Sequence, residues 1–154
     1  MGLSTEGWLS DLIIRECHDA VIFSDPEGNI RLWNRGAEAM FGYPAEEVLG
    51  RSLDLIIPDN LRARHWEGYR RVMATGETKY GRELLSAPGL CRDGSRKSLE
   101  FSMAILRDAE GTVIGIAAVI RDVTARWQKE KQLKDRLATL EKGNSGDQKV
   151  TNTQ

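Results

Sequence analysis

A chain of 154 residues, 40% hydrophobic and 29% charged, can bury the core of one ordinary globular domain with a modest extension, which excludes a second full domain. Its formal net charge of -1 excludes a general electrostatic pull toward nucleic acid or anionic lipid, so any link to DNA would run through another protein. Two cysteines, Cys17 and Cys91, are too few for a disulfide framework and match no metal-ligand spacing, which points to a reducing cytoplasm and argues against zinc.

The N-terminal stretch MGLSTEGWLSDLIIREC lacks a basic leader region, and its DLII run is far too short to span a bilayer. Trp8, Leu9, Leu12 and Ile13 recur at helical intervals, so residues 4–16 read as an amphipathic helix whose apolar stripe needs a partner surface. AVIFSD and NIRLWN flank Pro26-Glu27-Gly28 and read as a β-hairpin. From Arg35 to Gly50, the breakers Gly42, Pro44 and Gly50 allow only short helical pieces. A longer helix follows over Asn60 to Thr75, capped by Asp59 or Asn60 and stopped by Gly76. Leu61, His65, Tyr69, Val72 and Met73 share its apolar side.

The second half changes to strand periodicity. ETKYGRELLSAP and RKSLEFSMAIL are separated by GLCRDGS, whose Asp93-Gly94 is a turn signal, and this puts Cys91 at a hairpin tip as an exposed thiol. Leu99, Phe101, Met103 and Ile105 alternate with smaller or polar residues, as in a strand buried on one face. VIGIAAVIRD reads as a fifth strand. ARWQKEKQLKDRLATLEKG then favours a helix with Leu133, Leu137 and Leu140 at coiled-coil spacing, and the last residues carry too little apolar surface to fold. The expected fold is α+β: a five-stranded antiparallel sheet with short helices on one face, flanked by an N-terminal amphipathic helix and a C-terminal coiled-coil-like helix. The expected segments are 1–17, 18–126, 127–142 and a disordered 143–154.

The pieces Asn34, Phe41-Gly42-Tyr43, Glu46 to Gly50, the Arg92-Asp93-Gly94 turn and the closing Asp122-x-Thr124 stand in one order from about His18 to Arg126. In that order they resemble a PAS domain. The resemblance implies a sensory and interaction module, not an enzyme, whose final strand passes a signal to the outgoing helix. It also implies a homodimer, a downstream signalling partner in trans, and no direct contact with nucleic acid or membrane. No phosphate-binding loop, kinase half or catalytic triad is legible.

Locally, RARH and the following helix are similar to the haem-binding PAS domains of the FixL and Dos type. That similarity implies haem b, with His65 as the proximal iron ligand and Arg71 and Lys79 beside the propionates. It places Tyr80, Leu85, Phe101 and Met103 around the cofactor. Leu85 stands where the FixL type has its distal arginine, and Glu83 where the Dos type has a distal methionine. The expected sixth ligand is therefore Met103, whose soft thioether suits ferrous iron. Read from the residues alone, without the resemblance, His65 is a hydrogen-bonded core histidine and Met103 plain core. The cavity could then hold flavin without a covalent bond, a fatty acid or another apolar ligand, or serve only dimerisation. The photoreactive cysteine segment of the light-sensing flavin relatives is absent, its place being taken by LGRSLDLIIPDN.

Overall fold

The computed structural model describes residues 5–150. Helix α1 (Thr5–Glu16) leads into the hairpin β1 (Ala20–Ser24) and β2 (Ile30–Trp33), followed by α2 (Arg35–Phe41) and α3 (Ala45–Val48). Two short 3-10 turns, Leu53–Ile56 and Asp59–Leu61, precede α4 (Arg62–Thr75). The strands β3 (Leu85–Leu90), β4 (Arg96–Arg107) and β5 (Val113–Asp122) complete the sheet, and α5 (Thr124–Val150) follows. The five strands lie in the order β2-β1-β5-β4-β3, all neighbours antiparallel. This is the expected α+β fold.

The core gathers on one sheet face, where Ile22, Leu99, Ile116 and Ile120 meet Phe41 and Val48 from the helices. Fully burying a side chain of this size stabilises the fold by about 1.5–3 kcal/mol. Asn34 fixes how the chain enters this layer. Its Oδ1 accepts from Val21 N at 2.8 Å and caps α2 by accepting from Ala37 N at 2.9 Å. Its Nδ2 donates to Ile14 O and Asp19 O at 2.9 and 3.0 Å, so one 4%-exposed amide joins α1, β1 and α2. Gly28 meets two demands in the first hairpin turn. It takes φ +83°, and a Cβ there would fall 2.2 Å from the Trp66 indole.

Four local expectations change. The third strand begins at Leu85 instead of Glu77, because Gly81 adopts φ +55° and Glu83 N bonds Tyr80 O, turning the chain before it can pair. That strand lies at the sheet edge and so tolerates Pro88. Neither Asp59 nor Asn60 caps α4; both sit in the 3-10 turn ahead of it, and Leu61 at the cap position supplies no side-chain bond. Gly76 does end the helix, in the left-handed region at φ +69°.

Cys91 is not exposed. Its neighbour Arg92 bonds Phe41 O at 2.9 Å, and the Cys91 thiol is buried and donates to Met40 O at 3.5 Å. Finally, α5 continues past Lys142 to Val150, through residues whose low apolar content had suggested no fold; residues 151–154 of the expected tail lie outside the described residues. The chain divides into a compact unit ending at Asp122 and a second, helical unit from Val123.

Candidate functional site

Helix α4 and the 3-10 turns before it lie over the sheet without filling the space beneath them. A cavity of about 260 Å³ remains, walled by Leu53 and Ile57 on one side and by Leu99, Phe101 and Ala118 on the other. An adjoining outer chamber of about 440 Å³ shares His65, Tyr69, Leu85, Phe101 and Met103 with it. Arg64, Gly68 and Val72, one α4 turn apart from each other, form one wall of the outer chamber, opposite β3. Thr78 and Tyr80 contribute from the loop before β3.

The inner cavity is apolar apart from Ser24, His65 and Tyr69. The two hydroxyls serve the fold. Tyr69 donates its single proton to Asp25 O at 2.5 Å, so the 2.8 Å contact between Ser24 Oγ and Tyr69 Oη has the serine as donor. Burial raises the Tyr69 pKa above its ordinary value, which keeps that proton in place.

His65 differs. Among the described residues, its Nδ1 is the buried side-chain polar atom without a hydrogen-bond partner. Burial lowers the His65 pKa from its ordinary value and the Asp54 carboxylate offsets only part of this, so the ring is neutral at pH 7. Its faces are held by aromatic contacts, edge-on to Trp66 with centroids 4.7 Å apart and tilted against Tyr69 at 5.8 Å. Trp66 is itself anchored by donating from Nε1 to Asp54 Oδ1 at 2.7 Å.

Of the residues singled out in the sequence, His65, Leu85, Phe101 and Met103 line both spaces and Tyr80 lines the outer one. Arg71 and Lys79 do not line either. Arg71 is exposed and paired with Glu67 at 3.3 Å, and Lys79 is exposed with its Nζ 5.0 Å from the Tyr80 ring centroid. Glu83 is also exposed and outside the lining. Sequence reasoning missed Arg64, Gly68 and Trp66. Arg64 directly precedes His65 and Gly68 follows it by three residues, a signal present in the helical spacing; Trp66 meets Gly28 only through the folded chain.

These residues do not fit haem b. His65 and Met103 share a cavity, but the cations assigned to the propionates stand outside it. Nδ1 also lacks the carboxylate or backbone carbonyl that usually orients a ligating imidazole through its second nitrogen. No group of three or more His, Cys, Asp or Glu side chains placed to hold a metal ion occurs among the described residues.

A single antiparallel sheet covered on one face by short helices, with a cavity between, defines an α+β domain with room for a small molecule. Residues 15–128 match the PAS fold family, and the chain belongs to it. It is 32% identical over 138 residues to the signal transduction histidine-protein kinase AtoS of Escherichia coli, covering 86% of this chain and 21% of that protein. It is 28% identical over 125 residues to the oxygen sensor protein DosP of Escherichia coli, with 79% and 15% covered. The sensor protein FixL of Bradyrhizobium diazoefficiens is 25% identical over 128 residues, with 83% and 25% covered. The chain therefore spans a quarter or less of these relatives.

Among solved structures, the PAS domain of a Colwellia psychrerythraea protein superposes with a TM-score of 0.67 at 19% identity, covering 77% of this chain and 97% of that one. The PAS domain of the RpfR quorum-sensing receptor of Cronobacter turicensis in complex with C12:0 gives 0.58 at 18%, with 71% and 97% covered. The chain is thus a PAS domain of the kind carried by signalling proteins. No helix among the described residues is long and apolar enough to cross a membrane.

Proposed function

We propose that this PAS domain is a sensor for a small, mostly apolar molecule that enters the cavity under α4 and places a polar end at His65. The observation that carries the reading is the buried, unpartnered Nδ1 of a neutral imidazole that lines an otherwise apolar space. A buried polar atom without a partner costs about 1–3 kcal/mol, and a ligand able to bond it would recover that cost on binding. The RpfR domain, alike in fold and bound to C12:0, supports an apolar chain as the body of such a ligand.

Occupancy would act on β5. This strand supplies Ile116, Ala118 and Ile120 to the cavity, ends at Asp122 and is followed directly in the chain by α5. The output is a homodimer that passes its state to a signalling partner, a reading supported by the exposed Trp8, Leu9 and Ile13 on α1 and the exposed Leu133, Leu137 and Leu140 on α5.

Thermal unfolding with dodecanoic acid as probe tests the ligand. A hundredfold excess over Kd should add about 2.7 kcal/mol to stability, and Ala118→Phe, which fills the inner cavity, should abolish the gain while the protein still folds. No gain in the wild type, or an equal gain in Ala118→Phe, would leave a cofactor-free interaction module with His65 as plain core. Haemin is the second titrant. A Soret band that disappears in His65→Ala would contradict the reading and return haem.

A further inference from the structure

We propose that the outer chamber is a head-group site, seating the carboxylate of an apolar-chain acid between Arg64 and His65 with its chain running into the inner cavity. The proposal rests on the ligand-sensing reading above and names the chemical class of the ligand.

Three observations carry it. Arg64 is exposed and, like Arg70 on the same helix, forms no ion pair among the described residues, but of the two it is Arg64 that lines the chamber. No Asp or Glu lines either space, so the charge of Arg64 is unanswered by any neighbour in the wall. The adjacent His65 lines the same chamber and brings the orphaned Nδ1, which is sealed from the space and which a flip of the ring would present, in the Nδ1–H tautomer, to a carboxylate oxygen. Arg64 and His65 together supply the donors that one carboxylate needs, and a charge-assisted bond of this kind is about twice as strong as a neutral one.

The third observation is Gly68, inside α4 and one turn after Arg64. Glycine within a helix is unfavourable relative to alanine, and it is normally explained by a positive φ or by a close neighbour. Neither applies: Gly68 is not in the left-handed region, and a Cβ built on it meets no atom within 4 Å. Gly68 is exposed and lines the chamber, so the open space beside it lies at the chamber's mouth. A side chain larger than a methyl group there would occupy the room that a head group and its first methylenes require.

Calorimetric titration at pH 7.5 with dodecanoate and with dodecanol tests this. Dodecanoate should bind roughly tenfold or more tightly than the alcohol, and Arg64→Gln should remove that difference without weakening the alcohol. Gly68→Phe should block both ligands. Gly68→Ala should melt higher than the wild type and keep binding, a control that needs no large side chain. Equal binding of acid and alcohol, unaltered in Arg64→Gln, would overturn the head-group site and leave the cavity reading intact. Failure of both ligands to bind the wild type would overturn both.

Discussion

At the scale of the residue, two buried groups with similar surroundings behave differently because one is satisfied and the other is not. Removing the Tyr69 hydroxyl in Tyr69→Phe leaves Asp25 O and Ser24 Oγ short of a partner, and chemical denaturation should show a loss of about 1–3 kcal/mol. His65 shows itself through pH. Its folded pKa lies below its ordinary 6.5, so the unfolded chain binds more protons between the two values. The contribution of a neutral His65 to stability is complete above pH 6.5 and is lost as pH falls toward the folded pKa. Unfolding free energies measured between pH 7.5 and 5 should therefore drop more steeply for the wild type than for His65→Leu; parallel profiles would contradict the burial of the ring. The position of His65 on the apolar side of α4 was legible from helical spacing. Its missing partner was not, because hydrogen-bond satisfaction depends on every element packed against the ring.

At the scale of the element, Asn34 shows how one side chain can organise three segments. Its spacing before α2 was readable as part of the PAS pattern, but its bonds to Ile14 O and Asp19 O join residues up to twenty positions away and follow only from the folded path. Asn34→Ala should cost roughly 2 kcal/mol, the upper end for a lost cap, and hydrogen exchange should accelerate through α1 more than through β4. Exchange unchanged in α1 would mean that the helix is held by something else. The burial of Cys91 escaped the sequence for the same reason. An Asp-Gly turn announces a hairpin tip, yet the strand ahead of it is drawn onto the end of α2 by Arg92 N and Phe41 O. In β3, by contrast, the local signal was present and outweighed: Gly81 turns a stretch whose composition otherwise suits a strand.

At the scale of the whole molecule, the hairpins, the five-stranded antiparallel sheet and its covered face followed from alternation and turn chemistry, whereas the strand order β2-β1-β5-β4-β3 came only with the folded chain. The cavity was not legible either, since its volume arises from what side chains leave unfilled, as at Gly68. Both terminal helices expose large apolar side chains, Trp8, Leu9 and Ile13 on α1 and Leu133, Leu137 and Leu140 on α5, of the kind that pair helices between copies. Light scattering at micromolar concentration should give twice the chain mass, and Leu133→Glu with Leu137→Glu should shift it toward one. The account turns on whether His65 reads the contents of the cavity, and the chain offers a clean test because it has only two histidines. Nitrogen-15 NMR of histidine-labelled protein during titration with dodecanoic acid should move the Nδ1 resonance of His65 toward that of a hydrogen-bonded nitrogen and leave His18 in place. A titration in which neither imidazole moves, or both move together, would contradict a ligand site at His65.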